Sequence, residues 1–141
     1  MVDLVALSPA RVLVVDDDAA TRELLRDVLT IGGIQVVAEA ADGLEGVRLA
    51  LELEPDVVLM DQRMPVLDGI EATRRLRDGL PYTQVVILTA YGDHRSQRGA
   101  GRVGAYAYLP KDTSSRLLLE VVTRAADVKR SSEARGEDPE P

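Results

Sequence analysis

Four places in the chain carry side chains that could act together. The apolar run Val12–Val15 is followed at once by Asp16-Asp17-Asp18, Val57–Met60 by Asp61, and Val85–Leu88 by Thr89; the Tyr-containing stretch Ala105–Leu109 leads through Pro110 to Lys111. Carboxylates gathered in one place repel, and one of them takes up a proton unless a cation offsets the charge. An all-oxygen ligand set suits a hard divalent ion that keeps some of its waters, above all Mg²⁺. An ionised Asp beside such an ion and a Lys ammonium can attack an electrophilic phosphorus while the cations neutralise the phosphoryl oxygens. The chemistry these residues suggest is formation and hydrolysis of an aspartyl phosphate. Each residue alone has a plainer explanation. An Asp at a strand end is commonly the next helix's N-cap, and Asp18 is expected to be one. Thr89 suits a strand by propensity, and Tyr108 could simply fill the core. It is the convergence of four strand ends that favours chemistry.

That convergence requires a particular set of elements. Short, continuous, β-branched runs read as strands buried on both faces, the habit of parallel sheets. They fall at Val12–Val15, Val36–Ala38, Val57–Met60, Val85–Leu88 and Ala105–Leu109. Between them lie amphipathic segments. The first helix is expected from an Asp18 cap to Ile31, with Leu24, Leu25, Val28 and Leu29 inward and Gly32-Gly33 as its stop. Asp42 with Glu45 and Asp68 with Glu71 have capping-box spacing, and these helices end at Pro55 and near Asp78-Gly79. Thr113 or Ser114 caps the last helix, whose stripe is Leu118, Val121, Val122, Ala125 and Val128. The expected fourth helix, Asp93–Val103, is weak, because Gly99 and Gly101 each cost about 1 kcal/mol and only Ala100 and Val103 are apolar. Five strands alternating with five helices make an α/β fold, a doubly wound sheet with helices on both faces. Ligands of such sheets bind at the carboxyl ends of the strands, where the acids, Thr89 and Lys111 fall. The acidic, polar stretch 131–141 and residues 1–9 read as flexible tails outside a domain at 10–130.

Composition narrows the function further. A net charge of −7 and a pI near 4.7 disfavour nucleic-acid phosphate or an anionic membrane as a partner. With no cysteine, disulfides, Cys-based zinc sites and thiol catalysis are excluded. One histidine, His94, argues against a multi-His metal site or a Ser-His-Asp triad, and its place before the weak helix suggests an exposed polar residue. No stretch reaches the ~18 apolar residues of a membrane span, and no signal peptide is visible, so a cytoplasmic location is expected. The first strand–helix turn lacks G-x-G-x-x-G, so no dinucleotide fingerprint is present.

Over about residues 10–130 the sequence resembles the receiver domain of bacterial two-component response regulators. The matching residues are Val14-Val15-Asp16-Asp17, Leu59 through Asp61-Gln62-Arg63-Met64-Pro65-Val66-Leu67-Asp68-Gly69, Thr89-Ala90, and Gly104-Ala105 through Tyr108 to Lys111. The D-x-x-M-P-x-x-D-G run is the most specific part. The resemblance implies a flavodoxin-like, five-stranded parallel sheet of order 2-1-3-4-5. It also implies that Asp61 is the phospho-acceptor, that Asp17 and Asp61 ligate Mg²⁺ with the main-chain carbonyl of Arg63, and that Asp16 reaches the metal through water. By the same resemblance Lys111 pairs with the phosphoryl group, Thr89 turns inward on phosphorylation, and the Tyr108 rotamer follows. The implied partner is a sensor histidine kinase or phosphotransfer protein, with homodimerisation on phosphorylation and transcription control as the output. Such a domain is a phospho-acceptor that catalyses its own phosphotransfer and dephosphorylation, rather than a turnover enzyme. The details Arg63-Met64-Pro65, Gly69-Ile70-Glu71-Ala72 and Lys111-Asp112-Thr113 look like receivers that precede a LuxR-type helix-turn-helix.

Three features depart from the pattern. Asp112 stands where many receivers have a proline after the lysine, so a trans bond is expected there. Pro110 limits hydrogen bonding at the end of the fifth strand. The polar fourth helix puts the usual dimer face in doubt. Two other functions share part of this pattern. A haloacid-dehalogenase-type phosphatase needs D-x-D-x-T/V; Asp16-x-Asp18 fits, but Ala20 occupies the last position. A binding-only pseudo-receiver is disfavoured by the complete set of acids, Thr89 and Lys111.

Overall fold

The structure is a computed structural model that describes residues 8–90 and 103–136. Five strands, β1 (Arg11–Val15), β2 (Gln35–Ala40), β3 (Val57–Asp61), β4 (Gln84–Thr89) and β5 (Ala107–Pro110), form one sheet of order 2-1-3-4-5. Every pairing is parallel. Four helices occur among the described residues: α1 (Ala19–Ile31), α2 (Gly43–Leu53), α3 (Gly69–Gly79) and α4 (Ser115–Arg135). This is the doubly wound, flavodoxin-like architecture expected. Residues 93–102 of the expected fourth helix lie outside the described residues, while Val103-Gly104 form a turn.

Alternation along the strands explains why they are apolar throughout. Val12 and Val14 of β1, Leu59 of β3 and Val86 of β4 pack under α1 and α4 with Leu25, Leu29, Leu118 and Val122. Leu13, Val15, Met60 and Ile87 face the opposite way, under α2 and α3 with Val47, Ala50, Ala72 and Leu76. Both faces of each central strand are therefore covered, which is what continuous apolar runs require.

The caps follow the sequence closely. Asp18, Asp42, Asp68 and Ser114 each accept a hydrogen bond from the backbone N–H three residues on. Gly32 ends α1, and Gly33 follows with φ +84°. All peptide bonds among the described residues are trans, Lys111–Asp112 included.

Some expectations need correction. Leu24 is 63% exposed and Val128 also faces solvent, because the sheet-facing stripe of each helix is narrower than its apolar composition. The fifth strand begins at Ala107 and includes Pro110, which an edge strand tolerates. The last helix continues past the expected boundary at 130 through Arg135 to a left-handed Gly136 cap. Its far end is held at the amino edge of the sheet. Buried Asp56 accepts from the Arg11 N–H (2.9 Å) and from the Arg130 guanidinium (3.0 Å), and its other oxygen lies 3.3 Å from the Lys129 ammonium. Arg130 also donates to the carbonyls of Ser8 and Pro9.

Candidate phosphoryl-acceptor site

Because the strands are parallel, β1, β3, β4 and β5 all end at one edge, which brings together Asp16, Asp61, Thr89 and Lys111. Asp16 is fixed from several sides. Its N–H donates to the Ala40 carbonyl (3.0 Å), its Oδ1 accepts from the Asp18 N–H (2.9 Å), and its carbonyl accepts from the Arg22 guanidinium (2.7 Å). Arg22 is steadied in turn by Glu39 of β2. One carboxylate oxygen each from Asp16, Asp17 and Asp61 lies within 4.8 Å of the others. Lys111 Nζ sits 3.2 Å from Asp61 Oδ1 and 3.4 Å from Asp16 Oδ2.

The electrostatics of this cluster are unbalanced. Burial of Asp61, reinforced by the Asp16 charge, pushes its carboxyl up to about 6 against the opposing pull of Lys111. Burial alone would lower the Lys111 ammonium, but its hydrogen bond and charge contact with Asp61 prevail and raise it. Asp16 is 1% exposed, and its Oδ2 has no hydrogen-bond partner. A buried carboxylate oxygen met only by the Lys111 ammonium at 3.4 Å, beside two further carboxylates, fits the donor set of a hard divalent cation and its waters. Asp18 takes no part in this cluster. The Thr21 hydroxyl and N–H hold its carboxyl below the usual range as the α1 cap.

The segment after β3 turns sharply at Asp61. Gln62 N–H donates to the Leu88 carbonyl, and Gly69 N–H donates to the Gln62 carbonyl (2.7 Å), turning the chain back into α3. A Cβ on Gly69 would lie 2.3 Å from the Asp61 carbonyl oxygen, so only glycine lets α3 start against the strand end. Arg63 is exposed near the start of this loop. Val66 adopts φ +71°, a strained conformation for a β-branched residue.

Thr89 and Tyr108 are joined by Gln62, which in the sequence stands only as part of the motif that follows Asp61. Both hydroxyls donate to Gln62 Oε1, each at 2.7 Å, and Gln62 is 5% exposed. The available signal was an amide placed directly after a fully buried strand, since a buried Gln must find partners.

Comparison with known proteins agrees with this geometry. Residues 12–123 match the model of the response regulator receiver domain family. The chain is 38% identical over 117 residues to the transcriptional regulatory protein LiaR of Bacillus subtilis, covering 82% of this chain and 56% of that protein. It is 40% identical over 102 residues to a protein-glutamate methylesterase/protein-glutamine glutaminase of Hahella chejuensis, covering 71% of this chain and 29% of the relative. The chain thus spans only part of the length of these relatives. Among solved structures, the signal receiver domain of the NarL response regulator from Mycobacterium tuberculosis superposes with a TM-score of 0.81 at 33% identity, covering 85% of this chain and 98% of that one.

Proposed function

The chain belongs to the response regulator receiver domain family, and from that premise we propose that it is a phosphorylation switch in a phosphorelay, with Asp61 as the acceptor. The observation that carries this reading is the position of Asp61 at a strand end, between a carboxylate pair and the Lys111 ammonium. An ionised Asp61 oxygen attacks the phosphorus of a phosphohistidine on a sensor histidine kinase or phosphotransfer protein. The O–P bond forms as the N–P bond breaks, and the released imidazole nitrogen takes a proton. Lys111 holds the incoming phosphoryl oxygens. Asp16, Asp17, Asp61 and the Arg63 carbonyl would hold Mg²⁺, which supplies positive charge against the phosphoryl oxygens. The phosphoryl group adds about −1.5 to −2 charge and three acceptor oxygens, and these recruit the Thr89 hydroxyl. As Thr89 moves, Tyr108 follows.

On this reading the chain is not a turnover enzyme; it catalyses only its own phosphotransfer and dephosphorylation. The esterase activity named for the Hahella relative is that protein's. Transcription control is supported by the LiaR relative, a transcriptional regulatory protein. The acidic chain makes no direct nucleic-acid contact, and phosphorylation favours a homodimer. No described helix is long and apolar enough to cross a membrane, and the proposed location is the cytoplasm. The phosphatase reading loses support because Asp18 is engaged as a helix cap.

Incubation with acetyl phosphate and Mg²⁺ tests these readings. A stable adduct of one phosphoryl group on Asp61 is expected. Rapid phosphomonoester turnover without an adduct would indicate the phosphatase, and neither result would indicate a pseudo-receiver.

A further inference from the structure

The Thr89 hydroxyl has one proton, and it is committed to Gln62 Oε1 at 2.7 Å, with a longer contact of 3.3 Å to the Ala90 carbonyl. Tyr108 OH donates to the same oxygen. An amide oxygen has two lone pairs, so these two hydroxyls fill it. Gln62 is almost wholly buried, and its backbone is pinned by Leu88 and Gly69, so it cannot readily leave. Thr89 therefore cannot give its proton to a phosphoryl oxygen on Asp61 without giving up Gln62. When it does, one lone pair of Oε1 is released and the oxygen's hold on Tyr108 changes.

We infer that Gln62 is a positioning residue that restrains Thr89 in the unphosphorylated protein and passes the release of Thr89 on to Tyr108. The inference rests on Asp61 being the phosphoryl acceptor. Gln62 does not touch the reacting atoms and acts only through Thr89, which gives it a signature that a packing role lacks.

The test uses beryllofluoride with Mg²⁺ as the phosphoryl mimic, titrated into the full chain and its Gln62→Met, Thr89→Val and double variants. Fluorotyrosine at Tyr108 provides a second readout. A net hydrogen bond lost from the resting state alone corresponds to about threefold to tenfold tighter mimic binding in Gln62→Met. That gain should vanish in the Thr89→Val background. The Tyr108 resonance should move with the mimic in the wild-type chain and not in Gln62→Met. In Gln62→Glu, which keeps an acceptor oxygen, it should still move; this variant keeps the inference testable if Gln62→Met folds poorly. An equal effect of Gln62→Met in both Thr89 backgrounds, no effect, or a silent Tyr108 in folded Gln62→Glu would overturn the inference. If the wild-type chain takes up no mimic, or Asp61→Asn takes it up equally well, the acceptor reading itself falls.

Discussion

Replacing Asp61 with Asn should make the metal-free protein more stable while abolishing its capacity to accept phosphate. Burial and the Asp16 charge raise the Asp61 carboxyl from an ordinary 3.8 to about 6, and its side chain is 4% exposed. Keeping that carboxylate ionised at pH 7 costs the folded state about 3 kcal/mol, at about 1.4 kcal/mol per pH unit. Asn has nearly the same volume and no charge, and Lys111 retains Asp16 as a partner at 3.4 Å. The variant should therefore gain about 3 kcal/mol at pH 7 in EDTA, a rise in melting temperature on the order of 10 °C. The sign with pH follows from proton uptake. Between about pH 4 and 6 the folded wild type holds more protons than the unfolded chain, so its stability falls as pH rises through that window. The advantage of Asn should accordingly shrink as pH drops from about 6 towards 4. Urea unfolding of both proteins at several pH values, with EDTA, measures it. Equal stability at pH 7, or a less stable Asn variant, would refute the view that the acidic cluster is strained by its own charge.

Other outcomes follow from the same geometry. Millimolar Mg²⁺ should raise the melting temperature of the wild-type chain by binding the folded state alone, and Asp17→Asn should remove most of that rise; calorimetry with and without the ion checks it. Gly69→Ala should destabilise the fold by about 2 kcal/mol or more, because its methyl group meets the Asp61 carbonyl and cannot be accommodated by a rotamer change. Its rate of phosphorylation by acetyl phosphate should fall as well, since the same carbonyl belongs to the acceptor. Asp56→Ala strips a buried partner from Lys129, Arg130 and the Arg11 amide and should cost about 3 kcal/mol in chemical unfolding.

Much of this protein was readable before any coordinates. Parallel topology follows from short apolar runs separated by capped helices, and it obliges residues that directly follow the runs to share an edge. That is why Asp16, Asp61, Thr89 and Lys111 could be grouped from the sequence. The caps at Asp18, Asp42, Asp68 and Ser114 were legible for a related reason, as a cap is a local interaction between a side chain and a backbone three residues away. What escaped the sequence depends on distant neighbours. Leu24 is as apolar as Leu25, and only the placement of α1 on the sheet decides which of them is covered. The bridge from Gln62 to Thr89 and Tyr108 joins residues 27 and 46 positions apart and turns on a side-chain rotamer. The reach of α4 through Arg135 depends on ion pairs to Asp56 and Glu133, which give a polar stretch a reason to remain helical.

The clamp around Asp56 has a consequence for how such a unit can be built into larger proteins. Asp56 and Asp61 stand at opposite ends of β3, about 17 Å apart along an extended chain. Through Arg130, Asp56 fastens the incoming segment at Ser8-Pro9 and the outgoing helix at the same pole. Entry and exit of the folded unit are thus neighbours, and both are remote from the acidic edge. Material spliced on at either side therefore leaves from the pole opposite Asp61. The same adjacency makes the unit suited to circular permutation: joining the two ends by a short linker and opening the chain at an exposed loop should preserve the sheet.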